Sequence, residues 1–476
     1  MGKALFWKML ERFGVVGGQF VIQVILARIL DPDDYGTLSI MLIFTTFANV
    51  FIQQGFSTSL IQNKDVSEED YSSILWLSLP VAILVYILLF ILAPWVERFF
   101  LLKDFVSPFR VLCLILIPGA FNSVQIAKAS REMDYKCIFL GNLIGILVSG
   151  GAGIALALNG AGLWALVIQS LLHVITPCVV MTFLVDWKPR FCLDFSRIKV
   201  LFTYGWKILA ATVMDTAYGN TQSLILGKRY SSVLLGFWDR GRQFPQFFVN
   251  TINNSVQSVM LPVMSKKQDR QNEVKEVMRL SLKLSMFFIF PLMMGLIGCA
   301  GVMIKVLLTD KWLPCLPFLQ LCCVDFAFWP IHTCNLQVMN AVGRSDIFLK
   351  VQVIKMIYGV AGLAFAILYF DDPLAILVIT VIEIPLGCFV NIYPNRKLIG
   401  YSMAEQFGDI WKTLLSAVIM LVCVLMLGYL PFSGIVTLCI QIASGTLLYF
   451  FINRMLKSEE LSMVIQLLKK LRGIQE

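Results

Sequence analysis

The sequence predicts an all-α polytopic membrane protein of about fourteen transmembrane helices, set as two six-helix lobes with two further helices at the C-terminal end. Three observations predict it. Of the 476 residues, 58% are hydrophobic and only 14% charged, against about 25% charged in a typical soluble chain, so lipid must act as the solvent. Apolar runs of the roughly 20 residues that a spanning helix needs recur along the whole length. A stretch beginning near Pro108 returns, without gaps, 209 residues later at Pro317.

The runs centre near Val21, Thr46, Val85, Ile115, Gly150, Leu172, Val213, Val249, Met293, Asp325, Gly359, Val381, Met420 and Ile442. Barrel strands would alternate polar and apolar residues, so the spanning element is the helix. Lys3, Lys8 and Arg12 precede the first run as they would in a signal peptide. The apolar stretch 13–30 is long for a signal core and has no A-x-A site, so it is expected to be the first span. Cations gather in alternate loops: Lys188, Arg190, Arg197 and Lys199, then Lys266, Lys267, Arg270, Lys275 and Arg279, then the tail. Intervening loops such as 159–162 and 371–372 have none. The positive-inside rule places the basic loops in the cytoplasm, and an even number of spans puts both termini there. The inside loop 64–70 is acidic and departs from the rule. Residues 458–472 read as an amphipathic helix. Ser458 is the expected N-cap and Glu459 and Glu460 fill the first turn. Leu461, Ile465 and Leu468 share a face and Lys469, Lys470 and Arg472 end it, as in a helix lying on the inner leaflet.

The repeat aligns Pro108-Phe109 with Pro317-Phe318, Leu112-Cys113 with Leu321-Cys322, and Ile138-Phe139-Leu140 with Ile347-Phe348-Leu349. Gly150 falls on Gly359 and Ala152-Gly153 on Ala361-Gly362. A repeat of six spans enters the membrane twice from the same side, which relates the halves by an axis along the membrane normal. The expected divisions are an N-terminal lobe over 1–200, a C-terminal lobe over 201–400, two added spans over 401–456 and a tail over 457–476.

The net charge of +9 does not indicate nucleic acid, because the cations sit in short loops rather than on one basic face. Most cysteines, including Cys113, Cys137, Cys178, Cys299, Cys322, Cys323, Cys423 and Cys439, lie in apolar runs and form no CxxC zinc pair. His173 and His332 are too few for a histidine metal cluster. No G-x-x-x-x-G-K-[ST], G-x-S-x-G or HExxH motif occurs, and the loops are too short for a catalytic domain. Neither an enzyme, nor an ATP-driven pump within this chain, nor a bound cofactor or metal is expected.

Polar residues inside apolar runs mark where a wet space should be, since lipid leaves them uncompensated. Gln243, Gln246, Asn250, Asn253, Asn254 and Gln257 recur at helical spacing in the eighth run. Thr212, Asp215, Gly219 and Gln222 do so in the seventh, Thr45, Asn49 and Gln53 in the second, and Gln19 and Gln23 lead to Arg28 in the first. The first two spans of each half are therefore expected to line a central cavity, although amides of this kind also bond helices together. Asp215 and Glu383 are the leading deep carboxylates, with Asp325 also plausible; Lys207, Arg240, Arg242 and Lys355 are candidate cations. Arginine grips phosphate oxygens with a planar fork, and amides offer donors and acceptors to sugar hydroxyls.

Several stretches carry a resemblance. Ala27-Arg28-Ile29-Leu30-Asp31-Pro32-Asp33-Asp34-Tyr35-Gly36 is similar to an A-R-x-L-x-P-x-D-[YF]-G pattern. Arg131-Glu132-Met133-Asp134-Tyr135-Lys136, Gly162-Leu163-Trp164-Ala165-Leu166 and Tyr204-Gly205-Trp206 follow in order, the last continuing through Ile225-Leu226-Gly227-Lys228 to Leu235-Gly236-Phe237-Trp238-Asp239-Arg240. Phe237 and Trp238 depart from the usual G-x-Y-[ND]-R. Over nearly the whole chain the sequence resembles the Wzx-type polysaccharide flippases of the MATE-like (MOP) exporter superfamily. The resemblance implies twelve core helices in two lobes plus two extras, and alternating access. It implies transfer of undecaprenyl-diphosphate-linked oligosaccharide across the bacterial inner membrane for O-antigen, capsule, exopolysaccharide or teichuronic-type polymers, beside polysaccharide polymerase machinery. On this reading Arg28, Arg240, Arg242 and Lys207 would hold the diphosphate, and the amides Asn49, Gln53, Gln243, Gln246, Asn250, Asn253, Asn254 and Gln257 the glycan. Asp215 and Glu383 would couple an ion. A MATE-type drug or metabolite antiporter, with an acidic aromatic cavity, and a lipid II flippase are the alternatives.

Overall fold

A computed structural model describes residues 7, 14–54, 67–192, 195–268, 270–429 and 431–471. The described residues are helical apart from short turns, with no strand among them. Eleven helices are long and apolar enough to cross a membrane, and a shorter apolar helix covers Gly17–Ile29. The chain divides into two compact units, Met1–Gly236 and Phe237–Glu476.

The first unit opens with α1 (Val16–Ile29) and α2 (Pro32–Asn49). Pro32 starts α2 where its missing N–H costs nothing, and the Asp34 carboxylate accepts from the Asp31 amide at 3.3 Å. A π-helical turn, Val50–Gln54, follows. Next come α3 (Glu68–Phe100), α4 (Val106–Cys113), α5 (Leu116–Arg131), α6 (Tyr135–Leu158), α7 (Leu163–Leu184) and α8 (Phe195–Arg229). α6 and α7 meet through small residues four apart, Gly141, Gly145, Ser149 and Gly153. A Cβ on Gly145 would lie 2.6 Å from Pro177 Cγ, and one on Gly153 2.9 Å from Gln169 Cβ and Cγ. This is the close approach that small residues permit where no hydrophobic effect drives helices together.

The second unit takes up α9 (Ser232–Ser265) within its second turn and continues with α10 (Gln271–Leu307), a 3-10 turn at Asp310–Cys315, α11 (Leu316–Ala327), α12 (Trp329–Ala341), α13 (Ser345–Tyr369), α14 (Leu374–Ile382), α15 (Ile384–Ile399), α16 (Met403–Leu427), α17 (Gly434–Met455) and α18 (Glu459–Leu471). The expected centre Ile115 falls in the turn between α4 and α5, and the other thirteen fall in helices.

The repeated stretch has repeated local structure. The long α3, the broken α4–α5 and the helix α6 have counterparts in α10, α11–α12 and α13. Both broken helices end in the same left-handed cap. Met133 (φ 57) and Gly343 (φ 73) take positive φ, and the Asp134 amide donates to Ala129 O at 2.9 Å as Arg344 N does to Met339 O. This six-to-one bond satisfies a carbonyl of the last helical turn.

Hydrogen bonds of buried amides tie α12, α15 and α16 of the second unit. Asn335 Nδ2 donates to Gln406 Oε1 at 2.9 Å, while Gln406 Nε2 and Asn395 Nδ2 donate to Asn335 Oδ1 at 3.1 and 2.7 Å. At one end of the unit, Lys275, Arg279 and Lys283 of α10 face α16. Lys275 pairs with Glu405 at 2.9 Å, Arg279 with Asp409 at 2.6 Å, and Lys283 with Asp409 at 3.2 Å. Tyr401 donates to the same Asp409 at 2.6 Å, and burial together with this carboxylate raises its phenol above the usual tyrosine range. α18 confirms the tail helix over its described part, with one correction. The Ser458 hydroxyl does not cap it and is buried without a partner, because the corner turns Ser458 inward, where its amide donates to Asn453 O at 3.0 Å. Lys3, Lys8, Arg12 and Arg472 lie outside the described residues.

Asn335→Leu should lower stability by about 2 kcal/mol, since it takes from buried Gln406 both its bonds to Asn335 and leaves Asn395 only the Asn335 carbonyl. Thermal unfolding of the purified protein should show the drop. An unchanged midpoint would mean the amides carry no weight in the packing.

Candidate functional site

The stripe on α9 is two rows rather than one. At 3.6 residues per turn, Gln246, Asn253 and Gln257 share one flank and Gln243, Asn250 and Asn254 the other. The first row faces protein. Asn253 is buried and accepts from Thr333 Oγ1 at 3.5 Å, and Gln257 accepts from Gln337 Nε2 at 2.8 Å. The second row, Gln243, Asn250 and Asn254, is exposed. Hydrogen-bonding glue and an accessible polar surface therefore lie side by side on one helix. Helix α8, which carries Thr212 and Gln222, is likewise long but fails the apolar criterion for a span.

Arg240 and Arg242 flank Gly241, which lets α9 sit against α11: a Cβ there would lie 2.8 Å from Leu319 N. Two residues apart, the arginines leave the helix on different sides. Arg240 is buried at 5% exposure, donates to Gln243 Oε1 at 2.6 Å and stands 5.7 Å from the Trp312 ring. Arg242 is half-buried, 6.0 Å from the Phe326 ring. Arg28 is exposed in the last turn of α1, where a cation also complements the helix dipole. Asn49 is half-buried at the end of α2. The side chains of Gln53, Lys207 and Asp215 lie outside the described residues.

The second unit also gathers charges that the sequence scatters. Glu383 occupies the break between α14 and α15, just before Pro385. Its Oε1 fills the space a Cβ on Gly362 of α13 would take. Asp325, in the last turn of α11, is close enough for its charge to act on Glu383, and the charges of Arg242 and Lys355 act on Asp325. A turn below, Tyr358 Oη and His332 Cε1 would lie 2.9 and 3.2 Å from a Cβ on Gly387. Asn391 Nδ2 approaches His332 Nδ1 at 2.8 Å, which assigns the ring proton to Nε2. In the first unit the matching glycine, Gly153, faces the neutral Gln169 instead. Sequence reasoning singled out Glu383, Asp325, Lys355 and Arg242 one by one. It passed over Asn391 and Asn395, although their i, i+4 spacing in an apolar run was visible.

Three of the stretches quoted above, around Gly36, Gly162 and Gly236, meet at one place in the first unit. Gly36 and Gly236 pack backbone to backbone, so a Cβ on Gly36 would strike Ser232 O and one on Gly236 Pro32 O. The Ser232 hydroxyl donates to Asp33. A Cβ on Gly162 would lie 3.4 Å from Asp34 Oδ1.

A family described as polysaccharide biosynthesis protein matches residues 25–317. The teichuronic acid biosynthesis protein TuaB of Bacillus subtilis is 23% identical over 86% of this chain and 86% of its own. The lipopolysaccharide biosynthesis protein WzxC of Escherichia coli is 21% identical over 85% and 83%, and the succinoglycan biosynthesis transport protein ExoT of Rhizobium meliloti 19% over 85% and 79%. Among solved structures, the lipid II flippase MurJ in an inward closed conformation superposes with a TM-score of 0.75 at 15% identity, covering 95% of this chain and 98% of that one. An inward-facing MATE multidrug transporter of the MOP superfamily gives 0.62 at 12% identity, covering 80% and 95%. The fold is shared with both.

Arg240→Gln should cost about 2 kcal/mol, because it strips a buried, stacked and hydrogen-bonded cation from α9. Asn250→Ala with Asn254→Ala should leave stability within about 0.5 kcal/mol, since both are exposed. Unfolding midpoints of the two variants, measured side by side, check the division of the stripe, and equal losses would refute it.

Proposed function

The chain belongs to the family of polysaccharide biosynthesis proteins, and we propose that it is a flippase moving undecaprenyl-diphosphate-linked oligosaccharide from the inner to the outer leaflet of the bacterial inner membrane. The observation that carries this reading is the exposed amide row Gln243, Asn250 and Asn254 on a helix of a membrane bundle. An exposed amide row of this kind is costly against lipid and suits hydroxyl-rich cargo, which takes both donors and acceptors. The relatives' names supply the cargo class: teichuronic acid, lipopolysaccharide and succinoglycan biosynthesis. Transport rather than bond-making is the task, as in the relative named a transport protein.

In this reading there are fourteen spans. They are the eleven apolar helices, the short α1, and α8 with α9, whose polar stripes lower their hydropathy because they line the pathway. Six spans form each lobe, α16 and α17 are the added pair, and both termini are cytoplasmic. The amides bind the glycan, with Asn49 and Gln53 joining from the first lobe. Arg28, Arg242 and Lys207 hold the diphosphate, while the polyprenyl tail stays in lipid. Arg240 serves mainly to set α9 against Trp312. The lobes rock to expose the cavity outward, and a polymerase receives the product. Glu383, beside Asp325, and Asp215 are the ion-coupling carboxylates; ionised groups at this depth cost on the order of 3 kcal/mol and persist where they are used.

Leaflet-resolved measurement of lipid-linked glycan tests the reading. Deletion of the gene should trap the glycan on the cytoplasmic leaflet, and glycan still reaching the outer leaflet in a strain without a second flippase would end it. Asn250→Leu with Asn254→Leu, and separately Arg242→Gln, should cut transport at least about tenfold with the protein still folded, roughly the loss of one or two polar contacts. Arg242 is the cleaner test of phosphate binding because Arg240 is built into the packing. Glu383→Gln should make residual transport indifferent to an uncoupler, and unchanged sensitivity would remove Glu383 from the coupling step.

A further inference from the structure

Helix α12 carries a row of its own beside the one on α9. Trp329, Thr333 and Gln337 follow at steps of four and share a face. All three are half-buried. Two rungs join this face to α9. Thr333 Oγ1 reaches Asn253 Oδ1 at 3.5 Å, and Gln337 Nε2 donates to Gln257 Oε1 at 2.8 Å. Both rungs link residues 80 apart in the chain, so the two helices run in the same direction and in register. The rungs leave over one polar atom of each kind. Asn253 is 4% exposed, and among the described residues its donor Nδ2 has no partner, nor has the acceptor Oε1 of Gln337. Toward the start of the row the seam becomes aromatic. The Trp329 ring stands 4.5 Å from that of Phe326, and Arg242 of α9 lies 6.0 Å from the same Phe326 ring. A cation, two rings and the amide rungs follow one another, with Arg242 about 16 Å along α9 from Asn253. Packing alone does not demand this row. The repeat of 209 residues puts Ala120, Val124 and Lys128 of α5 at the positions of Trp329, Thr333 and Gln337. There Ala120 and Val124 are fully buried, and Lys128 pairs with Glu68 and Glu132 at 3.3 and 3.2 Å.

We propose that the seam between α9 and α12 binds the sugar next to the diphosphate, with Trp329 stacked on the C–H face of the ring and Thr333, Gln337 and Asn253 bonded to its hydroxyls. The inference rests on the flippase reading and adds to it Trp329, Thr333 and Gln337, which the amide stripe of α9 does not include. A sugar ring presents C–H groups on its faces and hydroxyls around its rim, and the negative face of an aromatic ring attracts C–H groups. A hydroxyl both donates and accepts, which matches the donor left over on Asn253 and the acceptor left over on Gln337. An acyl chain would leave both atoms unpaired at a cost, so the seam suits the sugar and not the lipid tail. With the diphosphate on Arg242, the order of groups along the seam sets the first sugar beside the rings and the rungs.

The test titrates two probes onto the full-length protein in phosphatidylcholine nanodiscs and reads binding by native mass spectrometry. One probe is the lipid-linked glycan that a deletion strain accumulates, and the other is sugar-free undecaprenyl diphosphate. The unaltered protein should bind the glycan-bearing lipid more tightly. W329L and Q337L should each weaken binding of that lipid about tenfold and leave binding of undecaprenyl diphosphate within about twofold. W329F keeps a ring and should retain most of the affinity, while R242Q should weaken both probes. A purely structural role would weaken both probes alike, so equal losses for the two probes in W329L and Q337L would overturn the proposal, as would undiminished binding of the glycan-bearing lipid. Should W329L fold poorly, Q337L supplies the same reading from a half-buried amide. Equal affinity of the unaltered protein for the two probes would overturn the seam as a sugar site and leave the flippase reading in place. Binding of neither probe would end the flippase reading and this inference with it.

Discussion

Everything in this molecule follows from one constraint: in hydrocarbon, a polar group must find its partner inside the chain. The backbone meets it by being helical, and where helices break, the broken ends are capped, as at Met133 and Gly343. Side chains meet it with one another and with backbone carbonyls. Asn335, Gln406 and Asn395 bond to one another across three helices. Tyr449 donates to Phe287 O at 2.8 Å and Gln441 to Val424 O at 2.9 Å, drawing α17 onto α10 and α16. Against that background, the row on α9 stands out because Gln243, Asn250 and Asn254 are exposed.

Close packing needs small residues as much as apolar ones when lipid is the solvent. The glycines of α6 let Pro177 and Gln169 press in, and Gly36 with Gly236 lets two backbones cross. Three of the stretches that resemble polysaccharide flippases, around Gly36, Gly162 and Gly236, converge on this crossing. The exposed amides on α9 are free of that requirement.

The two units are built on one plan with different chemistry. Each has a long helix, a broken helix and a glycine-bearing helix in the same order. In the first, the notch at Gly153 faces an amide; in the second, the notch at Gly362 faces the Glu383 carboxylate, with Asp325 beside it. The local plan is repeated, and the residue at the notch differs between the units, Gln169 in one and Glu383 in the other.

The sequence by itself determined what depends on composition and period. Apolar length specified the spans, cation placement suggested their sense, and the offset of 209 residues exposed the repeat, because these are properties of the chain in register with itself. Only the tertiary structure decided which polar residues are closed and which are open. Asn253 and Asn254 are adjacent in the chain, yet one is buried against Thr333 and the other is exposed. Arg240 and Arg242 look interchangeable in sequence, but one is packed under Trp312 while the other neighbours Asp325. The physical reason is that burial depends on which neighbouring helix covers a given flank, and that is fixed by long-range packing through glycines rather than by local spacing.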